Sequence, residues 1–281
     1  MNTVFTMAKL TFREAIRRRI VTAGVLMGIA FLFVYDIGFH YMQPEMTRPS
    51  FSRLPVEAVQ AQANNLMLMA GLYVVNFLVI VIAALITSDS LAGEIQSGTI
   101  QAIVTKPVRR IGVVLGKWLG NAALLFCYVL LMSGGVMLSL FLMAGYHTPN
   151  WLAGIALIYF NSLIIMTLAL ALSSTLSTIA TGAVVLGMFG LAFIGGWVER
   201  IGVLLNNQTT ANIGILSSLL MPSDAVWNKA ASQMTSPLIG LTGISPFSSS
   251  SVPSTMMMIY AILYLLAALA IGIYQFGQRD L

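Results

Sequence analysis

The sequence predicts an all-helical integral membrane protein with six crossings, and three observations carry that prediction. Of 281 residues, 58% are apolar and only 8% are charged, whereas soluble domains carry roughly 25% charged residues. The charge-free stretches are long enough to cross a bilayer: Leu66–Ser88, and Trp118–Val198 with 81 residues and no Asp, Glu, Lys or Arg. The cations gather beside these stretches, where membrane topology rather than phosphate recognition explains them. A water-soluble globule is excluded, because so few charges cannot cover its surface. Disorder is excluded by the apolar content, and a nucleic-acid partner is not expected despite a net charge of +5. The single cysteine, Cys127, rules out an internal disulfide and a Cys-based zinc site.

A helix needs about 20 mostly apolar residues to cross the hydrocarbon core. On that measure the crossings are expected at roughly 20–41, 66–88, 118–145, 151–172, 179–198 and 256–276. The first is interrupted only by Asp36. It lacks a cleavage site followed by a polar mature segment, so it reads as a retained span rather than a signal peptide. Turns within the long charge-free run are marked by Gly145–Asn150 and Ser173–Thr178. With the N-terminus inside, ten of the fourteen cations lie on the cytoplasmic side, and only Arg48, Arg53, Arg200 and Lys229 lie outside. Both termini are therefore expected to be cytoplasmic, in a plasma or inner membrane.

Residues 1–19 carry Val4, Phe5, Ala8, Phe12, Ala15 and Ile16 at helical spacing, with Lys9, Arg13 and Arg17 four apart on another face. That pattern predicts a helix lying in the membrane surface with its cations toward lipid headgroups. Outside, Pro55 followed by Glu57 reads as a helix start. The segment 199–255 suggests short helices at 213–221 and 223–233, the second capped by Ser223 with Asp224 in its first turn. The most informative stretch is 89–110, a cytoplasmic connection far longer than the 2–8 residues a simple helix–helix link requires. It holds Asp89, Glu94, the break Ser97-Gly98-Thr99, an apolar run Ile100–Val104, and then Lys106-Pro107-Val108-Arg109-Arg110. Thr99 can cap a short helix and Pro107 ends it. An amphipathic piece of this kind suits docking into a protein groove.

At this stretch the sequence resembles the permease subunits of ABC transporters of the type-2 export class. The resemblance rests on Glu94, Ser97-Gly98-Thr99, the apolar run, Lys106-Pro107 with Arg109 and Arg110, and Gly116-Lys117-Trp118-Leu119-Gly120 entering the third span. Ala8–Ala15, Met221–Trp227 and the terminal Arg279-Asp280-Leu281 also look like this family, in the family's order. The resemblance implies a permease that pairs with a second copy of itself or a sister permease. It implies two copies of a separate ABC ATPase, which would bind ATP and Mg, with 89–110 as the coupling segment. Glu94, Ser97, Gly98, Thr99, Lys106, Pro107, Arg109 and Arg110 are then the expected coupling residues. Consistent with this, the chain has no Gly-x-x-x-x-Gly-Lys-Ser/Thr phosphate loop. Neither a catalytic residue nor a metal or cofactor of its own is expected.

Other readings were weighed on the residues. Asp36, an acid inside a span, is a functional candidate by default. With His40 four residues on, it could form an outer gate or simply pair near interfacial water. Methionines and His40 and His147 toward the outer side could suit copper(I), but Met as a filler of irregular packing is the stronger reading. A membrane-embedded enzyme would need convergent polar residues in the spans. Asn76, Asn121 and Asn161 are isolated in the sequence, and no His-Glu-x-x-His motif is present. A non-transporting anchor or mechanical-signalling subunit would use the same coupling segment as a transporter. The substrate is left open.

Overall fold

A computed structural model describes residues 3–46, 56–96, 110–205, 207–235 and 252–278. All secondary structure among these residues is helical, with the elements α1 Thr3–Arg17, α2 Arg19–Met46, α3 Val56–Gln96, α4 Arg110–Ala144, α5 Trp151–Ser173, α6 Thr178–Leu204, α7 Gln208–Leu220, α8 Ser223–Met234 and α9 Thr255–Gln278. Six of them (α2, α3, α4, α5, α6 and α9) are long and apolar enough to cross a membrane. They run up and down, so the start of α2, the end of α3, the start of α4, the end of α5, the start of α6 and the end of α9 share one end of the bundle. That end is called here the hub end. The segment joining α3 to α4 leaves and returns there.

The spans are not equivalent. Along their most apolar windows α3 and α5 are 61% buried, whereas α2 is 17% and α9 22% buried. α3 and α5 therefore form the centre, with Leu68, Leu72, Val79, Ile165 and Ala169 fully enclosed. α2 and α9 turn large apolar faces outward, including Leu26, Phe33, Ile262 and Leu263, as lipid-facing helices do.

Helices extend beyond the expected crossings because an apolar count detects only the hydrocarbon-embedded part. α3 has 41 residues, or about 60 Å at 1.5 Å per residue, so it must project past a core about 30 Å thick. Its last eight residues, 89–96, and Arg110 at the start of α4 are helical. The rest of the expected coupling stretch, 97–109, lies outside the described residues, and with it the short helix expected at 100–104. At the opposite end, α4 passes to α5 through Gly145 and Asn150, both left-handed with φ 63° and 40°. This reverses the chain in six residues, as the turn signals there require.

The expected pair of short helices is present as α7 and α8, with one correction. Ser223 does not cap α8. It is the first helical residue, the cap position is Pro222, and no side chain caps the helix there. The Ser223 hydroxyl instead points into the bundle, where no partner among the described residues meets it.

Candidate functional site

The hub end is built from pairs of charged and polar groups contributed by helices distant in sequence. α1 ends at Arg17, and Arg18 makes the corner into α2, with the Arg18 amide donating to the Ala15 carbonyl at 3.0 Å. From that corner the Arg18 guanidinium reaches in two directions. It donates to Asp89 Oδ2 of α3 at 2.5 Å and to Glu14 Oε1 of α1 at 2.6 Å. The other oxygen of Asp89 accepts from the Thr178 hydroxyl at the start of α6, at 3.4 Å. One carboxylate thus joins the α1–α2 corner, α3 and α6.

One turn further along α3, Glu94 forms a salt bridge with Lys117 of α4. The Lys117 ammonium also donates to the Ser90 carbonyl at 2.7 Å. Lys117 is 1% exposed, in a position where an unpaired ammonium would be severely destabilising. The pair is therefore a structural clamp between the end of α3 and the start of α4, the two helices that bracket 97–109. Arg110 adds a third tie, donating to the Gly277 carbonyl of α9 at 3.1 Å.

Close backbone approach sets this geometry. A Cβ on Gly116 would stand 3.0 Å from the Val4 carbonyl oxygen, and one on Gly120 would stand 2.7 Å from that of Ala8. Glycine at these two positions lets α1 lie directly against α4. This explains why Gly116-Lys117-Trp118-Leu119-Gly120 combines two small residues with a buried cation: the glycines seat α1 and the lysine holds α3.

The opposite end is closed differently. α8 has little apolar character in sequence, yet eight of its twelve residues are buried. Trp227 packs edge-on to Tyr73 with centroids 5.3 Å apart, and the Trp197 indole donates to the Tyr73 hydroxyl at 3.1 Å. Arg200 of α6 donates to Asp224 at 3.0 Å and to Asn228 at 3.2 Å, and the Asn228 amide donates to Asp224 at 2.8 Å. Burial pushes the Asp224 carboxyl above its ordinary value; Arg200 and Asn228 pull it down without reversing the shift. Between the two ends, the Asn161 amide donates to Asn76 Oδ1 at 3.0 Å, joining α5 to α3 deep in the bundle.

The expected site residues divide accordingly. Glu94 and Arg110 are at the hub end, each bonded within the chain. Ser97, Gly98, Thr99, Lys106, Pro107 and Arg109 lie outside the described residues. Asp36 and His40 are not brought together: no bond joins them, the His40 ring contacts Tyr41, and Asp36 Oδ1 is buried with no partner among the described residues. Asn76 and Asn161, isolated in the sequence, face each other. Sequence reasoning did not foresee the Lys117–Glu94, Arg18–Asp89 or Arg200–Asp224 pairs. The available signal was a charge of each sign at both edges of a turn-back in the chain, which marks a pairing opportunity without specifying the partner.

A family model described as ABC-2 family transporter protein matches residues 5–281. No curated protein matches the chain.

Proposed function

Because this chain belongs to the ABC-2 family of transporter proteins and is a multi-pass membrane permease, we propose that two such subunits, either identical or sister permeases, line a translocation path. A separate ATPase would sit on the hub end, which this reading makes cytoplasmic, in the plasma or inner membrane. ATP and Mg would bind that ATPase and not this chain. Residues 97–109 would be the element pressed by the ATPase, with Ser97, Gly98 and Thr99 shaping its start and Lys106, Pro107, Arg109 and Arg110 its basic end.

The observation that supports this reading is the clamp around 97–109. The helices on either side of the segment are joined by Lys117–Glu94, and α3 is joined to the α1–α2 corner and α6 through Asp89. A displacement of the segment therefore cannot be absorbed by one helix end. It is delivered to α1, α2, α3, α4 and α6 as a group, as a push from an ATPase would require. Glu94 acts here by holding the segment's base, and the contact with the ATPase falls to the segment itself.

The test is copurification from native membranes through a terminal tag, with mass spectrometry of stoichiometric partners. An ATPase is expected at one copy per permease chain. Reversing the charge of the segment with Lys106→Glu and Arg109→Glu is expected to abolish its recovery while leaving the permease in the membrane. Recovery of the chain alone from membranes that contain the ATPase would overturn the reading. If the ATPase copurifies but no substrate moves in vesicles when ATP is supplied, the mechanical-signalling alternative replaces transport.

A further inference from the structure

A groove between α1, α2 and α4 has a volume of about 370 Å³ and is open on one side. Its walls include Phe12 and Ile16 of α1, Val21 and Val25 of α2, and Leu124 and Cys127 of α4. The lining is almost wholly apolar. The hydroxyl of Tyr128, which also borders it, is already committed to the Gly24 carbonyl at 3.2 Å. From Leu124 to Leu131 the groove follows α4 for roughly 10 Å at 1.5 Å per residue, beginning at α1 and heading into the span. α1 cannot readily collapse into this space, because its position is set by backbone contact with Gly116 and Gly120.

The neighbouring face of α1 has a distinct character. On α1, Lys9, Arg13 and Arg17 follow one another at four-residue spacing beside the Phe12–Ile16 face, and all three are exposed. None has an ion-pair partner among the described residues. A row of exposed cations on the α1 face next to the apolar wall formed by Phe12 and Ile16 matches an amphiphile with an anionic head and a hydrocarbon tail. A second copy of this chain docking symmetrically here would bring the same cations toward each other, which charge opposes.

We infer that this groove binds one anionic phospholipid of the leaflet next to α1, with an acyl chain between α2 and α4 and the phosphate on Arg13 and Arg17. Bound there, the lipid fills the space behind α1 and braces the helix that the hub end depends on. The inference requires membrane embedding but not the transport role.

Cys127, the single cysteine of the chain, lines the groove and is exposed, so it reports occupancy. The experiment reconstitutes the unmodified protein into nanodiscs of phosphatidylcholine, or of phosphatidylcholine with phosphatidylglycerol, and follows the rate of Cys127 alkylation by N-ethylmaleimide. In parallel, native mass spectrometry counts retained lipids. Phosphatidylglycerol is expected to slow alkylation and to be retained after delipidation. Arg13→Gln with Arg17→Gln is expected to weaken its retention roughly 30-fold, the effect of removing two cations from an anionic surface. Leu124→Trp, which fills the groove and leaves the cations in place, is expected to lose the lipid as well. Equal retention of both lipids overturns the proposal, as does alkylation indifferent to phosphatidylglycerol in the unmodified protein. Protection that rises with protein concentration rather than with anionic lipid would assign the groove to a second copy.

Discussion

The two ends of the bundle enclose charged groups by opposite means. At the hub end, Lys117–Glu94 ties α3 to α4, and Arg18–Asp89 ties the α1–α2 corner to α3. Lys117–Glu94 is buried, whereas Asp89 and Glu14 around Arg18 stay partly exposed. At the far end, the Arg200 guanidinium of the Arg200–Asp224 pair lies over the Trp197 ring, and α8, which carries Asp224, is itself largely buried. The hub end is thus held by polar links between helices, and the far end by a plug. Polar links can exchange partners. An interdigitated aromatic plug resists displacement until it leaves as a unit, because packed interiors do not deform continuously.

Three perturbations test the difference between the two ends. The largest effect is expected from Lys117→Met, which leaves Glu94 facing a buried apolar side chain. Breaking a buried pair from one side costs about 3–5 kcal/mol. Thermal unfolding in detergent should show a marked fall in Tm, and Lys117→Met combined with Glu94→Gln should recover most of it. Failure of the double variant to recover would mean that the loss comes from packing and not from the orphaned carboxylate.

A smaller loss is expected from Gly120→Val, whose side chain meets the Ala8 carbonyl and Thr11. Overpacking of this kind costs about 1–3 kcal/mol. The α1–α4 contact should loosen, seen as faster hydrogen exchange in α1 with the far end unchanged. Equal loosening at both ends would merge the two regions into one cooperative unit.

The smallest effect concerns pH and distinguishes the plug. The Asp224 carboxyl is raised by burial above its ordinary value near 3.8, so the folded chain holds that proton more tightly than the unfolded one. Its contribution to stability is complete below the ordinary value and declines as pH rises through the raised value. Asp224→Asn should flatten the pH dependence of Tm over that interval, and a slope unchanged by the substitution would remove Asp224 as its source.

How far the sequence alone reaches can be judged from particular residues. Hydropathy located all six spans, because burial in lipid requires an uninterrupted apolar run whatever the neighbours are. The amphipathic pattern of α1 was equally plain, since its apolar positions and its Lys9, Arg13, Arg17 row follow one helix period. Gly116-Lys117-Trp118-Leu119-Gly120 was legible as part of the family resemblance, but the partner its glycines admit, the backbone of α1, was not.

What sequence could not supply was every property that depends on which helices meet. α8 carries too few apolar residues to predict its burial; only its insertion against Tyr73 and the centre of α5 buries Trp227 and Val226. Glu94 reads locally as a solvated acid at a membrane edge until Lys117, 23 residues on, returns beside it. Asp36 and His40 are four apart yet unconnected, because a shared helix face brings two residues near without aligning their polar atoms. Transfer of apolar surface into lipid is local and additive, so the order of residues alone determined the six apolar spans, as one helix period determined the amphipathic pattern of α1. Pairing of buried charges depends on distance and direction between remote segments, and the tertiary structure alone decided it.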